Sequence, residues 1–119
     1  MPEGVVIRSL EPADFPRMCP LLHEMGHGTR PAEEVPAADV LDRMCKLYGK
    51  PDHCIVVAAA GDELVGYAWA QDYGPGLRRS WSVVRLHDLF TTASWRRRGI
   101  GRILFEAVRS WAARRETVM

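Results

Sequence analysis

A chain of 119 residues supports one domain built on a single hydrophobic core. Apolar residues make up 47% and charged residues 26%, which excludes a disordered chain. The formal net charge of +1 excludes a global field that would draw the protein to nucleic acid or to a membrane.

The three cysteines, Cys19, Cys45 and Cys54, show no Cys-x-x-Cys spacing. They read as free thiols of a reducing compartment, with neither a disulfide frame nor a metal site. The opening Met-Pro-Glu-Gly lacks the basic and apolar regions of a signal peptide. The longest apolar run, Cys54 to Ala60, is far too short to span a bilayer. A cytoplasmic protein is expected.

In chain order, Val5-Val6-Ile7 predicts a short first strand. A helix opens near Pro12, since proline is tolerated in the first turn. Phe15, Met18, Leu22 and Met25 fall on one face of it, and Gly26-His27-Gly28 ends it. After the polar loop 29–36, a second helix is expected from Ala37 to Tyr48, stopped by Gly49-Lys50-Pro51-Asp52. Cys54 to Ala60 reads as a buried strand and Gly61-Asp62 as a two-residue hairpin turn. Glu63 to Gln71 returns as the next strand, with Gly66 marking a bulge or a close backbone neighbour. Tyr73 to Arg79 is a glycine- and proline-rich loop, and Trp81 to Thr92 a further strand. From Gly99 to about Arg115 the periodicity is strongest, with Ile100, Ile103, Leu104, Ala107, Val108, Trp111 and Ala112 at three- and four-residue steps. The fold class is a mixed α/β (α+β) domain over 1–119, of order β-α-α-β-β-β-α, with a mostly antiparallel sheet.

Between the last strand and the last helix lies Trp95-Arg96-Arg97-Arg98-Gly99-Ile100-Gly101-Arg102. A helix N-terminus presents unpaired N–H groups and the positive end of its dipole, so it favours an anion. Gly99 and Gly101 let a phosphate approach the backbone without a Cβ in the way, and the arginines add forked donors. Three adjacent arginines alone would equally be a solvated basic face. Set between a strand and a helix with the two glycines, they read as a phosphate site, with the phosphate of another nucleotide as the competing ligand. The pattern is neither a Walker loop nor a dinucleotide-binding fingerprint.

The spacing Arg96-x-x-Gly99-x-Gly101 after a strand resembles the acyl-CoA pyrophosphate loop of the GNAT superfamily of N-acetyltransferases. The opening Ile7-Arg8-x-Leu10-x-Pro12-Ala13-Asp14 is similar to that superfamily's first strand and helix. The resemblance implies that the backbone between Arg97 and Arg102, with Arg96, cradles the pyrophosphate of acetyl-CoA, Arg98 and Ile100 included. It implies that Leu89, Phe90 and Thr91 pair through their main chains with the pantetheine arm, as an added strand would. The N–H of Leu89 would also face the thioester oxygen.

The polar pair His87-Asp88 interrupts an apolar strand. Diamine-type members of the superfamily carry Glu-Asp there, so the resemblance makes His87 and Asp88 the catalytic candidates, His87 as a base acting through a water. Adjacent strand residues point to opposite faces, so only one of them is expected to reach a given pocket, the other being surface. The bland reading is a satisfied buried polar group beside a surface one. His27, Glu33 and Glu34, in the region that lines the acceptor site in relatives, and Trp81 are the substrate-binding candidates. For these an ordinary solvated loop and ordinary packing are the competing readings. Tyr48, Tyr67 and Tyr73 do not match the position of the superfamily's usual tyrosine acid, so no general acid is assigned.

The superfamily continues with a strand, a helix and a closing pair of strands beyond the equivalent of Arg115; Thr117-Val118-Met119 would at most begin that strand. The edge near Leu86–Thr91 is then left open, and self-association as a dimer by edge pairing or swapping is the favoured expectation, against a fragment of a longer protein and a short relative that binds acyl-CoA poorly or not at all. The expected activity is transfer of an acetyl group from acetyl-CoA to a primary amine of a small molecule or peptide. A non-catalytic acyl-CoA-binding or interaction module is the alternative. Nucleic-acid binding is not expected from one short arginine cluster.

Overall fold

The computed structural model describes residues 4–26, 37–78, 80–115 and 117–118. The elements are β1 (Val5–Ser9), α1 (Phe15–Met25), α2 (Ala37–Leu47), β2 (His53–Ala60), β3 (Glu63–Pro75), β4 (Ser82–Thr91), α3 (Ile100–Arg114) and β5 (Thr117–Val118). They form one five-stranded sheet in the order β1-β2-β3-β4-β5. The first four strands are antiparallel neighbours. β5 pairs with β4 in parallel through Ser82↔Thr117 and Val83↔Val118.

Both faces of the sheet are covered, which explains the unbroken apolar run of β2. Alternate residues of that strand serve opposite layers. Val56 and Ala58 pack with Ile100, Leu104, Val108 and Ala112 of α3. Val57 and Ala59 pack with Phe15, Met18 and Leu21 of α1 and Met44 of α2. The buried stripe of α1 is therefore Phe15-Met18-Leu21, whereas Leu22 is half-buried and Met25 exposed. The helix starts on a short 3₁₀ turn, Pro12–Asp14, where buried Asp14 takes two hydrogen bonds from Arg8, at 2.6 and 2.8 Å, and one from the Glu11 N–H at 2.8 Å.

Two departures from the expected boundaries position the site. β3 runs on to Pro75 instead of stopping at Gln71, because its ladder with β4 continues through Asp72↔Val84 and Pro75↔Ser82. Asp72 fastens this extension, accepting from the Gly74 N–H and from Arg115 Nε, both at 2.8 Å. Burial pushes the Asp72 carboxyl up, but these bonds outweigh it and hold it below its ordinary range. Gly66 meets both expectations at once. The ladder slips between Ala58 and Ala59 opposite it, and a Cβ there would lie 2.9 Å from Phe90 O and 3.1 Å from Leu104 Cδ1. That close approach seats α3 on β3 and β4.

Candidate active site

A second bulge sits in β4. Trp69 pairs with Asp88 and Ala70 with Leu86, so His87 is the extra residue. A bulge breaks the alternation of side chains, and the expectation that His87 and Asp88 face opposite sides is corrected here. Asp88 Oδ2 accepts from Tyr67 Oη at 3.0 Å, and His87 Nε2 lies 3.0 Å from Gln71 Oε1 and 3.2 Å from Tyr73 Oη. Tyr67, Gln71 and Tyr73 are odd-numbered residues of β3 and share one face. Both polar side chains of β4 therefore stand on the α1–α2 side of the sheet.

His87 stacks on Trp69 with ring centroids 4.2 Å apart, and Trp69 in turn lies over His53 at 6.1 Å. Trp69 Nε1 donates to His53 Nδ1 at 3.1 Å. Burial, and then the charge of Arg85, lower the His87 pKa from its ordinary value; Asp88 acts in the opposite sense and His53 in the same one. A histidine lowered in this way is neutral and able to accept a proton at pH 7. Burial, then the Asp88 charge and hydrogen bond, push the Tyr67 phenol far above its ordinary value, so it stays a donor to Asp88.

The outer edge of β4 is the second component. Thr92 N–H donates to Val65 O at 2.8 Å. In an antiparallel ladder the inward groups alternate, so Phe90 turns toward β3 while the main-chain groups of Leu89 and Thr91 turn outward. Since β5 covers only Ser82 and Val83, this outward edge has no strand partner among the described residues beyond Val83. Arg96 Nε takes the Thr91 carbonyl at 2.9 Å, and its guanidinium lies over the Phe90 ring, 5.4 Å from the centroid.

The edge leads into the glycine loop. Gly99 is the N-cap of α3 at φ 82°, with no side-chain cap, and Arg97 also holds a left-handed backbone at φ 65°. Left-handed backbone at a residue with a Cβ costs on the order of 1 kcal/mol and concentrates at ligand-binding turns. A Cβ at Gly99 would meet nothing within 4 Å, and one at Gly101 would meet only Thr91 Oγ1 at 3.7 Å, so the approach to the first turn is open. Arg96, Arg97, Arg98 and Arg102 are all exposed around it, Arg98 resting on Trp95. An uncapped helix start ringed by arginines favours an anion, and an open strand edge offers main-chain groups to an extended ligand.

Glu24, near the end of α1, was not foreseen. Its carboxylate accepts from Thr92 Oγ1 at 2.5 Å and from the Ala93 N–H at 2.9 Å, bracing the turn between β4 and the glycine loop. These bonds lower its pKa from the ordinary value, the Thr92 bond contributing most. A lone glutamate in an amphipathic helix carries no sequence signal of a partner 68 residues away. Tyr67, Gln71 and Tyr73 were missed for a related reason, since strand register brings Tyr67 to Asp88 and the bulge brings Gln71 and Tyr73 to His87. Of the substrate-binding candidates, Trp81 is exposed just before β4, at the strand end away from the glycine loop. His27, Glu33 and Glu34 lie outside the described residues. Among the described residues no group of three or more His, Cys, Asp or Glu side chains could hold a metal, and no helix is long and apolar enough to cross a membrane.

Residues 15–119 match the Acetyltransferase (GNAT) family. The chain belongs to this GNAT acetyltransferase family. The GNAT chain is similar in structure to glucosamine-6-phosphate N-acetyltransferase from Arabidopsis thaliana, with a TM-score of 0.76 and 19% identity, covering 97% of this chain and 78% of that one. It is also similar to ribosomal-protein-alanine N-acetyltransferase from Brucella melitensis biovar Abortus 2308, with a TM-score of 0.74 and 18% identity, covering 95% and 74%. An aminoglycoside acetyltransferase from an uncultured soil metagenomic sample, in complex with sisomicin, gives a TM-score of 0.74 and 17% identity over 96% and 73%. At these identities the likeness establishes the fold alone. No curated protein sequence matches the chain. The mixed α+β fold read from the glycine loop and the element order is the fold of these neighbours.

Proposed function

We propose that this GNAT chain is an acetyl-CoA-dependent N-acetyltransferase acting on the primary amine of a small molecule, with a peptide amine as the second acceptor class. The observation that carries the reading is the β4 bulge. It sets His87 and Asp88 on one face of a strand whose outer edge stays open and runs into the uncapped start of α3. Acetyl-CoA supplies the activated thioester. The outward main-chain groups of Leu89 and the N–H of Thr91 hold its arm, and the N–H groups at Gly99–Arg102, with Arg96, Arg97 and Arg98, hold its diphosphate. The outward N–H of Leu89 orients the acyl oxygen.

His87, lowered in pKa by burial, removes the proton that would keep the acceptor amine from attacking. Asp88, held by Tyr67, is the counter-charge that favours a cationic amine beside it. The chain's other aromatic groups at this face, Trp69 and Tyr73, form an amphipathic wall against which the carbon skeleton of such an amine packs. The neighbours named for sugar-amine and aminoglycoside acetylation support the small-molecule class.

The test is acetyl-CoA binding by calorimetry followed by thiol release over a panel of small amines and peptides. Wild type is expected to bind and turn over, and Gly99→Trp and Gly101→Trp to lose binding. Undiminished binding by both variants refutes the loop assignment. Binding by wild type without turnover on any amine favours the non-catalytic acyl-CoA-binding module instead.

A further inference from the structure

His87 Nε2 is placed between two oxygens of β3, Gln71 Oε1 at 3.0 Å and Tyr73 Oη at 3.2 Å. The two side chains are two residues apart on one strand, so they meet the imidazole from the same face. Their chemistry is not equivalent. An amide oxygen only accepts, whereas a phenol both donates and accepts. If Nε2 carried the lone pair, the Gln71 amide would have to turn over to present its NH2 to the ring. If Nε2 carries the proton, both oxygens accept it and no group is left opposed. Both of these contacts are made at Nε2, on one side of the ring. The ring itself is held in plane by Trp69, stacked 28° from parallel at 4.2 Å.

We propose that Gln71 and Tyr73 are positioning residues that hold neutral His87 as its Nε2–H tautomer, which makes Nδ1 the atom that receives the amine proton. The inference rests on the reading of His87 as the base. In the step, an N–H bond of the acceptor ammonium breaks and its proton goes to Nδ1. The electron pair left on nitrogen is the nucleophile, and the resulting imidazolium carries a proton on both nitrogens. Arg85 of β4 and His53 of β2 oppose that charge, Asp88 of β4 favours it, and Tyr73 of β3 faces it as a neutral phenol.

The tautomer is read directly by long-range ¹H–¹⁵N correlation on ¹⁵N-histidine-labelled protein above pH 8, with His87 assigned by its loss in His87→Gln. A protonated Nε2 and a bare, strongly downfield Nδ1 are expected in wild type. Gln71→Leu/Tyr73→Phe is expected to give an averaged mixture of tautomers. A wild-type Nδ1–H signature, or a double variant identical to wild type, overturns the proposal. In turnover, Gln71→Leu is expected to lower kcat on the order of tenfold with KM for the amine little changed. Gln71→Glu, which sets a carboxylate against Nε2–H, is expected to move the acidic limb of the kcat/KM profile up by about one pH unit. A limb that stays in place counts against the contact. Full activity in His87→Gln would refute the base assignment and the positioning role with it. A crippled His87→Gln combined with an Nδ1–H tautomer refutes the positioning role alone.

Discussion

The Tyr67 hydroxyl donates to Asp88 Oδ2 at 3.0 Å, joining a buried residue of β3 to the polar pair of β4. Asp88 pairs in regular register with Trp69 and so shares the face of Tyr67, and the bulge at His87 brings the neighbouring imidazole to that same face. Tyr67→Phe keeps the packing and removes the donor. The variant is expected to lose about 1–2 kcal/mol of stability in a denaturant titration and to raise KM for a cationic acceptor. Unchanged stability and KM together would mean that water replaces the hydroxyl at no cost.

The pH dependence follows from the direction of the His87 shift. Burial, and then Arg85, lower its pKa, so the neutral base persists below the ordinary value of 6.5. Activity is therefore expected to be full at neutrality and to fall as acid protonates His87, with the limb of kcat/KM centred below pH 6.5. His87→Ala should remove that limb and lower kcat/KM by roughly 10²–10⁴ at pH 7. A limb centred above pH 7 in wild type would contradict the burial argument.

Glu24 braces the entrance to the glycine loop through Thr92 and Ala93. Glu24→Ala frees that turn while leaving every loop residue in place. A rise in KM for acetyl-CoA of about three- to tenfold is expected, with kcat at saturation nearly unchanged, since the loss is one of loop order before binding. A fall in kcat at constant KM would place Glu24 nearer the chemistry.

Gly66 lies where β3 closely approaches both β4 and α3. A methyl group there meets Phe90 O at 2.9 Å, a backbone atom that cannot yield without moving β4. Gly66→Ala is expected to cost about 1–3 kcal/mol and to weaken acetyl-CoA binding, because the displaced strand carries the open edge. Gly61→Ala, with open space around its Cβ but φ at +61°, should cost about 1 kcal/mol from backbone strain alone and leave binding intact. Equal binding losses in the two variants would uncouple Gly66 from the site.

The elements of this protein were legible in its residues because each is signalled locally. The apolar stripe of Ile100, Leu104 and Val108 marks a helix at its own period, and Gly61-Asp62 marks a hairpin within two residues. The strand–arginine–glycine–helix order of the phosphate loop is local in the same sense, which is why the family could be read from it. The sites where that reading fell short involve partners far apart in the chain. A strict period of two puts His87 and Asp88 on opposite faces, and nothing in Leu86-His87-Asp88-Leu89 signals that one of them is the extra residue of a bulge. That is decided by pairing β4 with β3, where Trp69 meets Asp88 and Ala70 meets Leu86. The extension of β3 past Gln71 likewise depends on Asp72 reaching Arg115, 43 residues on. Sequence by itself therefore determined the order of the elements and the place of the arginine–glycine turn. Tertiary structure alone decided which polar side chains share a face, because register across strands is a non-local quantity and a single inserted residue inverts it.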